Sequence, residues 1–387
     1  MSTLRIGKPS ITISDKRAKL SANISNNENG TNFDLWYDVD KTYAEYLCSE
    51  TSDAFLVAML PYAMEHQLDI ICDDTISEKL YFNLQQNLIP ILSKYSKIFK
   101  RIKIIAEKRT NKRFTTATAN ATGLSCGVDS FDTIKDMLYN TSKSYELSAL
   151  TFFNVGSHRS TSGLDNTQSL QLYTKRLENS ARIAKLLNLP LIDINSNLGE
   201  HLTQPFVKVH HYCSFSAVLA LQKLFGNYFY SSAYPVSYFS IKKCDVGAAY
   251  YEPLTAKYLC TETTEFHISG LNKTRIDKIK NISDFPIAND NLNVCFKSDT
   301  NCGSCEKCIR TQLELYSCGK LELFKNSFDI DKFNKNFDKY MKYALKHQNQ
   351  SAYAEILKEM KNNNINLNIH QHLQHCLYFH AILFLKK

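Results

Sequence analysis

Ser125-Cys126-Gly127-Val128-Asp129-Ser130 is the stretch that decides how this chain reads. It follows an apolar, β-prone run, Phe114 to Leu124, and opens a segment with helical character, Phe131 to Leu138. A short Ser/Gly loop between a strand and a helix is suited to an anion. Its backbone N–H groups converge, and the start of the helix adds positive dipole character. The loop lacks the Lys of a Walker A motif and is not GxGxxG, which argues against a kinase or a dehydrogenase.

Downstream of the loop, strand-like and helix-like segments alternate. Leu147 to Asn154 reads as a strand and Asn166 to Leu187 as a long amphipathic helix. Leu191 to Ile194 reads as a strand, Val207 to Leu224 as helical, and Tyr228 to Ser232 as a further strand. This alternation predicts an α/β fold with a doubly wound parallel sheet. Ligands of such sheets bind beyond the carboxyl ends of strands, at a topological switch point, and the Ser/Gly loop sits at such an end. Residues 1–110 read as a separate α/β region. It has a strand at Arg17 to Ile24, a hairpin signal at Asn29-Gly30 and a returning strand from Phe33 to Tyr37. Ser52-Asp53 caps a helix over Ala54 to His66, with a kink or break at Pro61. A strand at Leu68 to Cys72, a helix over Ile76 to Tyr95 made irregular by Pro90, and a strand at Ile98 to Ala106 complete it. Leu321 to Lys387 is helical in pattern. Four parts result: 1–110, 111–285, 286–320 and 321–387.

Composition narrows the class. The 387 residues are 44% hydrophobic and 22% charged, ordinary for a soluble globular protein of two or three domains. No apolar run is long enough to span a membrane. Met1 to Lys19 has no signal-peptide core, which predicts a cytoplasmic protein. The net charge of +8 is spread along the chain. Its densest basic run, Lys97 to Arg113, reads as a strand with solvated flanks. No basic, aromatic-interleaved stripe stands out, so a transfer-RNA sulfurtransferase ranks low. His370, His372, His375 and His380 fall on different faces of one helix and read as surface residues.

Twelve cysteines in a long chain without an export signal read as reduced thiols, most of them small buried residues. Four form a cluster in sequence, Cys295-x6-Cys302-x2-Cys305-x2-Cys308. Four thiolates suit one tetrahedral Zn²⁺ in a closed, structural site. Gly303 permits a tight turn, Cys308 starts a helix, and Cys295 arrives from a strand. An iron–sulfur cluster also uses four thiolates, and any CxxC can be a redox pair. Three closely spaced cysteines with one upstream favour zinc.

The loop resembles the Ser-Gly-Gly-x-Asp-Ser signature of PP-loop ATP pyrophosphatases, which have a Rossmann-like HUP fold. The loop and the cysteine cluster together resemble the 7-cyano-7-deazaguanine synthase family, over roughly Phe114 to Thr311. Residues 1–110 have no counterpart in the plain synthase. The resemblance implies an ATP-dependent C–N ligase with ATP, Mg²⁺ and a structural Zn²⁺, and a homodimer. A deazapurine-like carboxylate would be adenylated with release of pyrophosphate. Ammonia would give the amide, and a second activation the nitrile. Two alternatives stand beside it. One is an antiphage-defence relative that conjugates a deazapurine to a partner protein docked on the N-terminal region. The other is a non-catalytic nucleotide-binding scaffold.

Residue roles follow from the same resemblance. Ser125, Gly127, Asp129 and Ser130 match the phosphate loop. The two hydroxyls and the loop N–H groups would hold the departing pyrophosphate, and Asp129 would orient the loop or bind Mg²⁺. Cys126 stands where the family has Gly. If that position needs positive φ, its Cβ costs about 1 kcal/mol or more; a thiol activated by the helix start is the other reading. Phe153-Asn154-Val155-Gly156-Ser157-His158 is similar to the Asp-Tyr-Gly-Gln-x-His segment near the adenosine, with Asn154 in place of the acid. There Gly156 would let the backbone approach the ligand and His158 would touch phosphate or substrate, unless the segment is a plain surface loop. Lys273-Thr274-Arg275-Ile276 resembles the Lys-x-Glu-Ile segment after the last core strand. Lys273 would face the phosphates, with Arg275 a second cation; solvated helix residues are the alternative. Arg310 either reaches the active site or caps the cysteine knuckle.

Overall fold

The structure, a computed structural model, describes residues 2–26, 30–139, 141–157 and 166–365. The chain forms two compact units. One comprises Met1–Ser125 with Asp136–Asn272, the other Cys126–Lys135 with Lys273–Lys387.

The first unit is built on an eleven-stranded sheet. Its N-terminal strands are β1 (Thr3–Ile6), β2 (Ser10–Ile13), β3 (Arg17–Asn26), β4 (Thr31–Asp40) and β5 (Asp69–Cys72). β6 (Ile76–Ser77) and β8 (Arg109–Thr110) pair apart from the sheet, and β7 (Ile104–Ala106) belongs to it. The later strands are β9 (Ala119–Gly123), β10 (Ala149–Asn154), β11 (Leu191–Ser196), β12 (Phe225–Ser231) and β13 (Glu265–Ser269). The spatial order is β13-β12-β9-β10-β11-β4-β3-β1-β5-β7, with β2 on β3.

From β13 to β11 every pairing is parallel. Numbered along the chain, these five strands lie in the order 3-2-1-4-5, the order of a doubly wound sheet, which reverses between β9 and β12. The first four residues of β10, Ala149 to Phe152, are all buried, as a covered parallel strand requires. β3 instead alternates, as a strand with one face on the core does.

The N-terminal region is not the separate body that its sequence suggests. β4 joins β11 antiparallel through Asn195↔Asp38 and Ser196↔Tyr37, so its strands extend the same sheet. Tyr37 is fully buried and its hydroxyl donates to Ser216 Oγ at 2.8 Å. Arg17 donates from Nη1 to Asp193 at 2.9 Å. Helix α1 (Asp53–His66) is apolar nearly all round, eleven of its residues are buried, and it packs on a helix at His210–Ala220. A helix apolar on every face needs cover on every face.

Local irregularities follow from particular residues. The helix expected over 76–95 is α2 (Glu78–Asn83), a wide turn, and α3 (Ile89–Tyr95). Pro90 has no N–H and its ring crowds the preceding turn; the N–H of Ile89 bonds Leu84 O, five residues back. Pro61 sits inside α1 without ending it. The strand expected from Phe114 is only β9, and that from Ile98 only β7.

The remaining helices are α4 (Val128–Tyr139), α5 (Asn166–Leu186), α6 (His210–Ala220), α7 (Glu252–Tyr258), α8 (Arg275–Ile282), α9 (Pro286–Asn291), α10 (Glu306–Ser317), α11 (Ile330–Lys346) and α12 (Ser351–Asn362). In the second unit α10, α11 and α12 pack on one another. The cysteine segment and the helical C-terminus, separate in the sequence reading, are therefore one body. The histidines 370, 372, 375 and 380 lie outside the described residues. No helix among the described residues is long and apolar enough to cross a membrane.

Asp53, read from sequence as part of a helix cap, is fully buried instead. Its carboxylate accepts from Thr51 Oγ1 (2.8 Å), Ser77 N (2.8 Å), Ser77 Oγ (2.6 Å) and Gln222 Nε2 (3.0 Å). These bonds tie the N-terminal residues to the chain after α6. Asp53→Ala leaves several buried donors unmet and is expected to cost about 3 kcal/mol in urea unfolding. A loss below about 0.5 kcal/mol would show that the network does not hold this junction.

Candidate anion site and cysteine cluster

The loop takes its shape from both neighbours in the chain. Beyond β9, Leu124 still donates its N–H to Thr151 O at 2.9 Å, and its carbonyl accepts from Ser180 Oγ at 3.2 Å. Cys126 then turns the backbone into the left-handed region, φ +60°, with its side chain buried. Its carbonyl accepts the N–H of Asn293 at 2.8 Å. α4 starts two residues later. Ser125 is exposed, whereas Ser130 is buried and its hydroxyl donates to Gly127 O at 3.0 Å, within the first turn. Position 126 therefore does adopt positive φ, and Cys126 carries the strain of a Cβ there.

Asp129 lies in the first turn of α4. Arg275 Nη1 donates to its Oδ2 at 2.9 Å and Lys278 Nζ to its Oδ1 at 3.0 Å. Burial works to raise its pKa, but Arg275 and Lys278 outweigh this and hold it below the usual carboxylate range. Arg275 also donates from Nε to Glu314 Oε2 at 3.1 Å. Glu314, 1% exposed on α10, has its other oxygen 3.5 Å from Arg310 Nε. Arg310 Nη1 lies 3.9 Å from Glu306. Lys307 joins them; burial, then Arg310 and Arg275, push its ammonium pKa down. Three cations, Arg275, Lys278 and Arg310, thus contact three carboxylates, Asp129, Glu306 and Glu314.

Lys273 is bonded elsewhere on the same helix. Its Nζ donates to Asp132 Oδ1 at 2.8 Å, and Asn281 Nδ2 donates to that oxygen at 2.6 Å. Asp132 is fully buried. Thr274 caps α8 reciprocally with Asp277: Asp277 N donates to Thr274 Oγ1 (3.2 Å) and Thr274 N to Asp277 Oδ2 (2.9 Å). The Thr-x-x-Asp spacing is the sequence signal for that cap. Asp132 and Glu314 carry no comparable signal, and the sequence reading passes over both.

Gly156 has φ +120°, and a Cβ there would lie 3.0 Å from Leu202 Cδ1 and 3.2 Å from Phe206 Cδ2. The chain's own packing requires glycine at that point. Asn154 donates from Nδ2 to Asn195 Oδ1 at 2.8 Å. His158 lies outside the described residues.

The four cysteines converge. Cys295, Cys302, Cys305 and Cys308 have all their sulfurs within 4.8 Å of one another, with Cys295–Cys305 at 4.0 Å and Cys302–Cys308 at 3.9 Å. A disulfide would need roughly 2.05 Å. Four sulfurs about 2.3 Å from a central ion lie roughly 3.8 Å apart, close to what is found. Cys305 is the N-cap of α10, so Cys308 falls in its first turn. Cys295 arrives from the loop after α9, not from a strand as its sequence suggests. Gly303, at φ +72°, turns the knuckle, and its carbonyl accepts from Gln312 Nε2 (3.0 Å) and Tyr340 Oη (2.9 Å). Cys305 N–H points at Cys302 Sγ at 3.3 Å. Burial opposes ionisation of Cys302, but the N–H groups of Ser304 and Cys305 bring its pKa to about 6. The cluster can hold a metal such as zinc.

Three substitutions test this geometry. In Cys126→Gly, relief of about 1 kcal/mol of backbone strain offsets about 1 kcal/mol of lost burial. Thermal unfolding should therefore change little. Cys126→Val, β-branched in the left-handed region, is expected to lose about 2 kcal/mol; equal stability of the two variants would contradict the positive φ. Asp129→Asn leaves Arg275 and Lys278 without their counter-ion and should cost about 2 kcal/mol at neutral pH. Because the folded pKa is depressed, the wild-type advantage is present above the unfolded value of about 3.9 and is lost as pH falls through the lower folded value. The gap between the two proteins in urea unfolding should close below about pH 4; a gap that widens on acidification would refute the pairing.

Comparison with known proteins adds no relative: no family model, no curated protein and no solved structure matches the chain.

Proposed function

We propose that this chain binds ATP at the loop Ser125–Ser130 and transfers its adenylyl group to a carboxylate, in the manner of the 7-cyano-7-deazaguanine synthase family. One observation carries the reading. The first turn of α4 follows the strand beside which the sheet order reverses, and two cations, Arg275 and Lys278, converge on the Asp129 carboxylate there. Reversal of strand order marks the ligand crevice of doubly wound sheets. A helix start with cations beside it suits phosphoryl groups.

As the bond between the α and β phosphates breaks, negative charge builds on the departing pyrophosphate. The loop N–H groups and Arg275 are the groups suited to stabilise it, because they are fixed before the reaction begins. Lys278 and Asp129 hold Arg275 in place. Lys273, engaged by Asp132, orients α8 against α4. Asp129 does not fit the role of a Mg²⁺ ligand, since both its oxygens accept from cations. The substrate, on the resemblance, is a deazapurine-like acid, with ammonia as the nucleophile that yields an amide or a nitrile. The four cysteines suit a structural Zn²⁺; four protein ligands leave no open position for chemistry.

The test supplies purified protein with ATP, Mg²⁺, a 7-deazapurine carboxylic acid and ammonia, and measures AMP and pyrophosphate. Both should form in equal amounts, and elemental analysis should find one zinc per chain. The double variant Asp129→Ala/Ser130→Ala should lose at least about 100-fold in rate while keeping its circular dichroism. Unchanged turnover in that variant removes the loop from the reaction. ATP bound without AMP formation across candidate acids leaves a scaffold.

A further inference from the structure

We infer that Glu314 is a positioning residue through which the cysteine cluster sets the orientation of Arg275 at the anion site. The inference rests on the anion-site reading above and names how that site is held. α10 begins at Cys305, its N-cap, and Cys308 lies in its first turn. Glu314 is six residues beyond Cys308, roughly 9 Å along a rigid helix axis. Where the cluster pins the start of α10 therefore fixes the depth and rotation of the Glu314 carboxylate.

That carboxylate is 1% exposed, a position an anion occupies only with a cation in contact. It accepts from Arg275 Nε at 3.1 Å, while the same guanidinium donates from Nη1 to Asp129 at 2.9 Å. A planar fork held on two edges has one orientation. The connection runs from the cysteines through α10 to Glu314, to Arg275, and to the first turn of α4, all within the second unit. Arg310 Nε lies 3.5 Å from the far oxygen of Glu314.

Two variants separate position from charge. Glu314→Asp keeps the charge and withdraws it by one methylene; Glu314→Gln keeps the length and removes the charge. Pyrophosphate binding is measured by calorimetry, metal content by elemental analysis, and Asp129 titration by carboxyl NMR. The positioning role predicts full metal content in both variants and about tenfold weaker pyrophosphate binding in Glu314→Asp. It also predicts a rise in the Asp129 pKa in Glu314→Asp, because Arg275 no longer aims at it, and a fall in Glu314→Gln, whose amide oxygen still accepts from Arg275 while a nearby anion is lost. Removing the metal from wild-type protein with a chelator should produce the same rise as Glu314→Asp, and doing so in that variant should add little, since both act on one connection. A charge-only role predicts the same fall in Glu314→Gln, because losing a nearby anion lowers a carboxylate pKa, but no change in Glu314→Asp. An Asp129 pKa that stays or falls in Glu314→Asp overturns the inference. If wild-type protein fails to bind pyrophosphate, the anion-site reading falls, and the Asp129 titration alone still decides the role of Glu314.

Discussion

The contact on which the second unit depends is that of Arg275 with two carboxylates, Asp129 at the start of α4 and Glu314 on α10. Arg275 and Glu314 lie largely away from water, so each is tolerable only because the others are there. Lys278, itself buried, closes the group on the second oxygen of Asp129. The segment Cys126–Lys135 is drawn into the body formed by the C-terminal third of the chain by these bonds, together with Lys273–Asp132 and Asn293–Cys126. An interaction that merely stabilised could be replaced by well-packed apolar residues. Here two cations, Arg275 and Lys278, take both oxygens of one carboxylate, Asp129.

The first unit supplies a different constraint. Five parallel strands in the order 3-2-1-4-5 leave a reversal beside β9, and the loop leaves the sheet from that strand. The N-terminal strands lengthen the sheet from its β11 side without touching that order. Their attachment relies on backbone pairing at β4–β11 and on the Asp53 bonds. Cutting them away would uncover one sheet edge and the apolar α1 together.

How much of this was legible beforehand depends on distance along the chain. The Ser/Gly loop, the cysteine spacing and the alternation from Leu147 to Ser232 are local patterns, and each appears where its residues lie. The left-handed backbone at Cys126 was legible only as a condition, because a single Cys does not declare its φ. The join of β4 to β11 pairs residues more than 150 positions apart, and no turn or spacing announces it. The one hint was the all-round apolar character of Ala54 to Met64, which a free-standing small region would struggle to cover. The buried partnerships of Asp132, Asp53 and Glu314 were invisible for a further reason. A buried acid and a solvated one look alike until their partners are known, and those partners (Lys273, Ser77, Arg275) come from remote segments.

The central claim is that the first turn of α4 is an anion site for a nucleotide's phosphates. Its most direct test is a crystal structure with a non-hydrolysable ATP analogue bridged by carbon between the α and β phosphates. The account predicts phosphoryl oxygens within about 3 Å of the N–H groups of residues 127–130 and of Arg275. A well-ordered analogue bound away from that turn, with Arg275 untouched by phosphate, would contradict it.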